Sequence, residues 1–149
     1  MTYTTIRDYG PKTMSKLAEA YKESLDQGER HRDVFDWPSA TLVLDKVIEE
    51  ANELKEAIVS QNGTETFTEA SDLVFTVVQC LRHLKLDLSD CLDYSNKKFQ
   101  IRFDTMSKIA GENDVQLKDL NLSELEELWK QAKIVSTKSI NTLNKDFKL

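Results

Sequence analysis

With 149 residues, 40% of them hydrophobic and 31% charged, and a formal net charge of −6, the chain has the makeup of one globular domain of ordinary size. That balance excludes a disordered or membrane-embedded protein, and the acidic charge argues against general nucleic-acid binding, which draws on a basic surface. The 4 Gly and 2 Pro leave few breaks, which favours long helices over a β-sandwich or barrel.

Pro11 opens a first helix carrying Met14, Leu17, Tyr21 and Leu25 at helical spacing, with Gln27-Gly28 as its stop. A polar and aromatic linker runs through Asp36-Trp37-Pro38-Ser39. In the second helix Val43, Val47, Ala51, Leu54 and Ile58 mark one face, and Gln61-Asn62-Gly63-Thr64 ends it. A third helix is predicted from about Phe67 to Leu86; Ala70, Leu73, Val74, Val77, Val78, Leu81 and Leu84 form an apolar arc wide enough for a central, well-buried helix.

Asp87 or Ser89 caps the fourth helix, whose inner stripe is Leu92, Phe99, Phe103 and Met106 and whose stop is Ala110-Gly111. Ser123 with Glu126, or Asn121 with Glu124, provides a capping box for a short fifth helix bearing Trp129. Residues 134–149 keep no sustained apolar period and are expected to be a loose or partner-docked tail. The predicted architecture is all-α: an antiparallel bundle of four main helices plus a short C-terminal one, in a single domain over 1–149.

Cys80, Cys91, His31 and His83 fall in no zinc or disulfide pattern. Met1 to Gly10 lacks the apolar core of a signal peptide, and no apolar run approaches the ~18–20 residues that span a bilayer. A cytoplasmic protein is expected. Asn62-Gly63-Thr64 and Asn121-Leu122-Ser123 fit the glycosylation pattern but read as loop or cap residues.

Chemistry concentrates in carboxylates. Glu49, Glu50 and Glu53 share an arc of roughly 100°, expected opposite the apolar face of the second helix, with Lys46 beside them. On the third helix Glu69 and Asp72 share a narrow polar stripe with Thr76, Gln79 and His83. A solvated acidic face would account for the first group, and a capping box Thr66-x-x-Glu69 for Glu69. Asp72, followed by Leu73-Val74-Phe75, is expected to be buried and so to need a positive partner. If the two helices pack antiparallel, the five carboxylates converge on one pocket that Lys46 alone cannot neutralise. Oxygen ligands without Cys or His suit Mg²⁺, with Mn²⁺ the other choice, and an ion that keeps waters and shares phosphate oxygens.

Glu49-Glu50-x-x-Glu53, fifteen residues, then Glu69-x-x-Asp72 resembles the EExxE…ExxD signature of MazG-like nucleoside triphosphate pyrophosphohydrolases. Phe35-Asp36-Trp37-Pro38, Leu44-Asp45-Lys46-Val47, Asn96 to Phe103 and Leu128 to Lys133 extend the similarity, strongest over 35–133. The resemblance implies an all-α fold, a homodimer or homotetramer, and a divalent ion held by Glu50, Glu53, Glu69 and Asp72, with Glu49 assisting. It implies nucleotide contacts at Lys98, Arg102, Trp129 and Lys133, to which helical spacing adds a cationic clamp at Lys98/Arg102 and a stacking surface at Trp129. Ordinary surface charge is the competing reading for Lys98 and Arg102, and a core anchor, the stronger competitor, for Trp129. Where family members place a lysine one turn before ExxD, this chain has Glu65.

The expected reaction is Mg²⁺-dependent cleavage of a nucleoside triphosphate to the monophosphate and pyrophosphate, with clearance of non-standard nucleotides as a candidate role. Water would attack the α-phosphorus, oriented by Glu49 or Glu53, with Lys46 also at the substrate. A deoxynucleotide, a damaged triphosphate or phosphoribosyl-ATP is the other substrate choice. The non-enzymatic reading is a helical oligomerisation or regulatory module that retains a metal or nucleotide pocket.

Overall fold

The computed structural model describes residues 11–149, with side chains described from Ser15 onward. The reading of Met1–Gly10 and the side chain of Met14 lie outside the described residues. Regular structure among the described residues comprises α1 (Pro11–His31), α2 (Ala40–Val59), α3 (Gly63–Leu84), α4 (Leu88–Glu112), a 3₁₀ turn (Leu117–Asp119), α5 (Leu122–Val135) and α6 (Thr137–Asp146). The all-α expectation is borne out, with one helix more than the sequence suggested. The chain divides into two compact units, the first ending at Leu88 and the second running from Ser89 to Leu149.

In the first unit α2 and α3 pack along each other across a short turn, and α1 packs on α3. Ser39 caps α2 by accepting from the Leu42 N–H at 3.4 Å, and Asn62 caps α3 by accepting from the Glu65 N–H at 3.1 Å. With Asn62 as cap, α3 starts at Gly63 instead of Phe67, and Lys85 ends it in the left-handed region at φ 57°. Thr66 is therefore inside the first turn, where its hydroxyl donates to Asn62 O at 2.8 Å. The Thr66–Glu69 capping box does not form, and Glu69 needs another explanation.

Two faces are turned differently from the expectation. On α2 the buried line is Val43, Glu50 and Ala57, each two turns from the next, while Ala51 and Ile58 are exposed. Glu50 is thus beside the apolar stripe and not opposite it. On α3 the narrow polar stripe faces inward: Thr76 and Gln79 are buried, whereas Val74 is 64% exposed and Val77 and Leu84 are open as well. The broad apolar arc does not make α3 a central buried helix within this chain. The inversion is possible because Gln79 finds a partner, donating from Nε2 to Ser24 O on α1 at 2.6 Å.

Helix α1 continues through Gly28 to His31. Gly28 serves close approach instead of termination: a Cβ there would overlap Gln79 Oε1 and Arg82 Nε on α3.

In the second unit α4 turns Met106 and Ala110 inward, but Leu92, Phe99 and Phe103, expected in the same stripe, are exposed, and the helix passes Gly111 to reach Glu112. Of the two candidate capping boxes, Asn121–Glu124 forms: each backbone N–H donates to the other's side chain, at 3.0 and 2.8 Å. Residues 134–149 are not a loose tail. They complete α5 and form α6, with Ile140 and Leu143 buried. Tyr94 holds α6 to α4, donating its hydroxyl to Asn144 Oδ1 at 2.7 Å and setting its ring edge-on to Phe147 at 5.3 Å.

Candidate functional site

The hairpin of α2 and α3 brings together one carboxylate oxygen each from Glu50, Glu69 and Asp72, all within 4.8 Å of one another. Glu50 is 5% exposed, Glu69 is half-buried, and Asp72, expected to be buried, is exposed at the rim. Oxygen ligands sit about 2.0–2.6 Å from Mg²⁺ or Ca²⁺, so one ion can bridge three oxygens spaced this way. The donor set, all hard oxygen, fits that class of cation.

The cation supplied by the chain is Lys46, whose Nζ lies 2.6 Å from Glu50 and 2.9 Å from Glu49. Those two contacts, Glu50 first, push the Lys46 pKa well above its ordinary value. Lys46 therefore neutralises the inner side of the cluster and leaves Glu69 and Asp72 without a described lysine or arginine partner. Glu53 stands beside the trio; burial, then the charge and hydrogen bond of Glu50, raise its pKa. Glu53 and Glu69 also line a common cavity of about 320 Å³ with Glu56 and Glu65, so the groove beside the trio is acidic.

A family model described as phosphoribosyl-ATP pyrophosphohydrolase matches residues 11–99. The chain belongs to that family. Two relatives support the MazG-like resemblance drawn from the sequence. A protein of Escherichia coli (strain K12) named nucleoside triphosphate pyrophosphohydrolase is 34% identical over 103 residues, 66% of this chain. A protein of Thermotoga maritima named nucleoside triphosphate pyrophosphohydrolase/pyrophosphatase MazG is 34% identical over 99 residues, again 66% of this chain. An uncharacterized protein YabN of Bacillus subtilis is 32% identical over 71 residues, covering 48% of this chain and 14% of its own length. The chain spans 38% of the length of the first two.

The family match takes in α1, which the sequence did not connect with the resemblance, together with Lys46, the five carboxylates and Lys98; it ends before Arg102, Trp129 and Lys133. Lys98 lies over the Tyr94 ring, its Nζ 5.1 Å from the centroid. Arg102 holds its Nε buried without a hydrogen-bond partner, a group that an anion would satisfy. Trp129 sits 5.5 Å from Phe99, which stacks on Phe103 at 5.9 Å, so its ring is part of an aromatic cluster. Lys133 is exposed on α5. These four residues belong to the second unit and the carboxylates to the first.

Sequence reading missed a second polar group in the first unit. Arg82, its side chain 9% exposed, donates to Gln79 Oε1 at 2.8 Å, Glu29 Oε1 at 3.1 Å and Asp36 Oδ1 at 2.7 Å. His83 Nε2 is 2.9 Å from the same Asp36 oxygen, and the Trp37 N–H donates to it at 2.8 Å. Burial works against ionisation of Asp36, but these contacts outweigh it and hold the pKa at about 2. The sequence signal was faint: an arginine within an apolar helical run, and an aspartate 46 residues away.

Proposed function

We infer that this chain hydrolyses nucleoside triphosphates to nucleoside monophosphate and pyrophosphate, using a divalent cation held by Glu50, Glu69 and Asp72. The observation that carries this reading is the convergence of those three carboxylates within 4.8 Å in a member of a pyrophosphohydrolase family. Mg²⁺ is the proposed ion, Mn²⁺ its substitute; when bound it would neutralise phosphate oxygens and acidify water at the site. Glu53, with Glu49 in reserve, would hold the attacking water and take its proton on a carboxylate oxygen. The water oxygen forms a bond to the α-phosphorus, the α–β bridging P–O bond breaks, and pyrophosphate leaves with the electron pair.

Lys46 would exchange part of its contact with Glu50 for a phosphate oxygen as the cation takes up the carboxylate charge. Lys98, Arg102, Trp129 and Lys133 are the proposed nucleotide contacts of the second unit, Arg102 supported by its unpaired Nε. The proposed assembly is a homodimer or homotetramer, favoured by the open apolar arc of Val74, Val77 and Leu84. No helix among the described residues is long and apolar enough to cross a membrane, and the cytoplasm is the proposed setting. Clearance of non-standard nucleotides is the proposed role.

The test is a panel of ribo- and deoxynucleoside triphosphates, damaged triphosphates and phosphoribosyl-ATP, assayed for pyrophosphate with Mg²⁺, with Mn²⁺ and with chelator. Release of orthophosphate alone, or pyrophosphate release that survives chelation, contradicts the reading. Glu53→Gln separates enzyme from module: equal nucleotide affinity with no turnover in either form would mean that the pocket binds without catalysing.

A further inference from the structure

The end of α1, the linker before α2 and the later turns of α3 enclose a cavity of about 370 Å³ that shares no residue with the carboxylate trio. Its volume lies in the range of small-ligand sites, which are mostly apolar with a few placed polar groups. Three rings, Phe35, Trp37 and Phe75, line it, and Gln27, His31, Asp36, Gln79 and Arg82 supply its polar wall. That wall is rigidly built. Gln79 is fully buried and bonded on both sides, Arg82 is bonded to three side chains, and Gly28 admits them against the α1 backbone.

Asp36 has acceptor capacity to spare. Arg82, His83 and the Trp37 N–H all meet its Oδ1, and its Oδ2 takes no hydrogen bond from any described residue. A carboxylate with a free oxygen is an acceptor only, so its natural ligand is an N–H donor. Flat aromatic walls beside such an acceptor suit a planar heterocycle bearing an amino group.

The position of the cavity ties it to the trio. The same linker also borders a second cavity of about 310 Å³, which it shares with Lys46, the lysine bonded to Glu50. Along α3 the step from Asp72 to Gln79 is seven residues, about 10 Å at ~1.5 Å per residue. A ribose with its first phosphate can bridge that step.

The geometry points to this cavity as the seat of the substrate's nucleobase, with preference for a base whose exocyclic amino group donates to Asp36 Oδ2. The inference rests on the reading that the trio receives the phosphates. Cytosine presents an amino group where uracil presents a carbonyl oxygen, which would face the carboxylate as acceptor against acceptor. In that pose a cytidine nucleotide is therefore favoured over the matching uridine nucleotide.

The chain has two tryptophans, Trp37 and Trp129, so the indole region of a ¹H–¹⁵N spectrum separates the two candidate stacking sites. The full-length protein is titrated in chelator with cytidine and with uridine, and the two signals are assigned with Trp37→Phe and Trp129→Phe. The expected result is a saturable shift of the Trp37 signal with cytidine, at least tenfold weaker with uridine, while Trp129 stays in place. Phe35→Ala, at a residue 85% exposed and so of little consequence for folding, should weaken the cytidine response about tenfold. A shift at Trp129 instead, equal responses to the two nucleosides, an unchanged response in Phe35→Ala, or no saturable response overturns the assignment. Neither metal nor triphosphate enters the titration. A protein that binds cytidine at Trp37 yet releases no pyrophosphate contradicts only the hydrolytic reading, and an active protein silent at Trp37 contradicts only this one.

Discussion

Replacing Glu50 with Gln tests the carboxylate trio with little change of shape. Glu50 is 5% exposed and lies within 4.8 Å of Glu69 and Asp72 through their nearest oxygens, so the amide keeps the packing and removes one of three negative ligands. Lys46 is not stranded, because Glu49 remains at 2.9 Å. At a metal concentration about 100 times Kd, binding stabilises the fold by about 2.7 kcal/mol. A kcal/mol moves Tm by about 2–4 °C in a chain of this size, so the native protein should gain about 5–11 °C. Loss of a group that only supports a ligand weakens metal binding about 10–100-fold. A 100-fold loss at the direct ligand Glu50 brings the concentration down to Kd, where about 0.4 kcal/mol remains and the gain is about 1 °C. The assay is a thermal melt of chelator-treated protein against Mg²⁺ and Mn²⁺, with each variant's own metal-free Tm as reference. An E50Q protein with the native metal midpoint, or a native protein whose Tm ignores both ions, would refute the site.

Other measurements probe the frame around the site. Gly28→Ala drives a methyl group into Gln79 and Arg82 and should cost about 1–3 kcal/mol in a denaturant melt, whereas Gly63→Ala, with nothing near its Cβ, should change stability little. Asp36→Asn removes a carboxylate held at about pH 2 against an ordinary 3.8, a difference of about 2 kcal/mol. Because the folded pKa is depressed, that contribution is full above about pH 4 and lost as pH falls through 2. The gap in stability between native and variant proteins should therefore be widest near neutrality and close across that window, and a constant gap from pH 7 to pH 2 would contradict the assignment. Asn121→Ala removes the capping box of α5 and should cost about 1 kcal/mol, with Ser123→Ala nearly silent; the reverse order would favour the alternative box.

The carboxylates were legible because their pattern is local. Glu69 and Asp72 are three apart on one helix, and a short turn returns α3 alongside α2, so spacing alone predicts that they meet Glu50. Orientation was less legible. An apolar majority on α3 suggested burial of Val74 and Val77, but the buried Gln79 and Thr76 satisfy their hydrogen bonds within the chain, which reverses the face. Helix α6 was missed because its buried residues, Ile140 and Leu143, are sparse among Thr, Asn and Lys, and further support comes from Tyr94, which bonds Asn144 fifty residues away and also meets Phe147 just past the helix end. The Arg82–Asp36 contact is of the same kind: no local period marks it, since the two are joined only once α1, the linker and α3 have come together.

The approach of the α1 backbone to Gln79 and Arg82 also limits how this sequence can drift. A side chain at position 28 needs room that only smaller or shorter groups at 79 and 82 would leave, and shortening either gives up the bonds to Ser24, Glu29 and Asp36. A substitution at any one of these three positions therefore costs stability unless the other two change with it, so their effects should be non-additive.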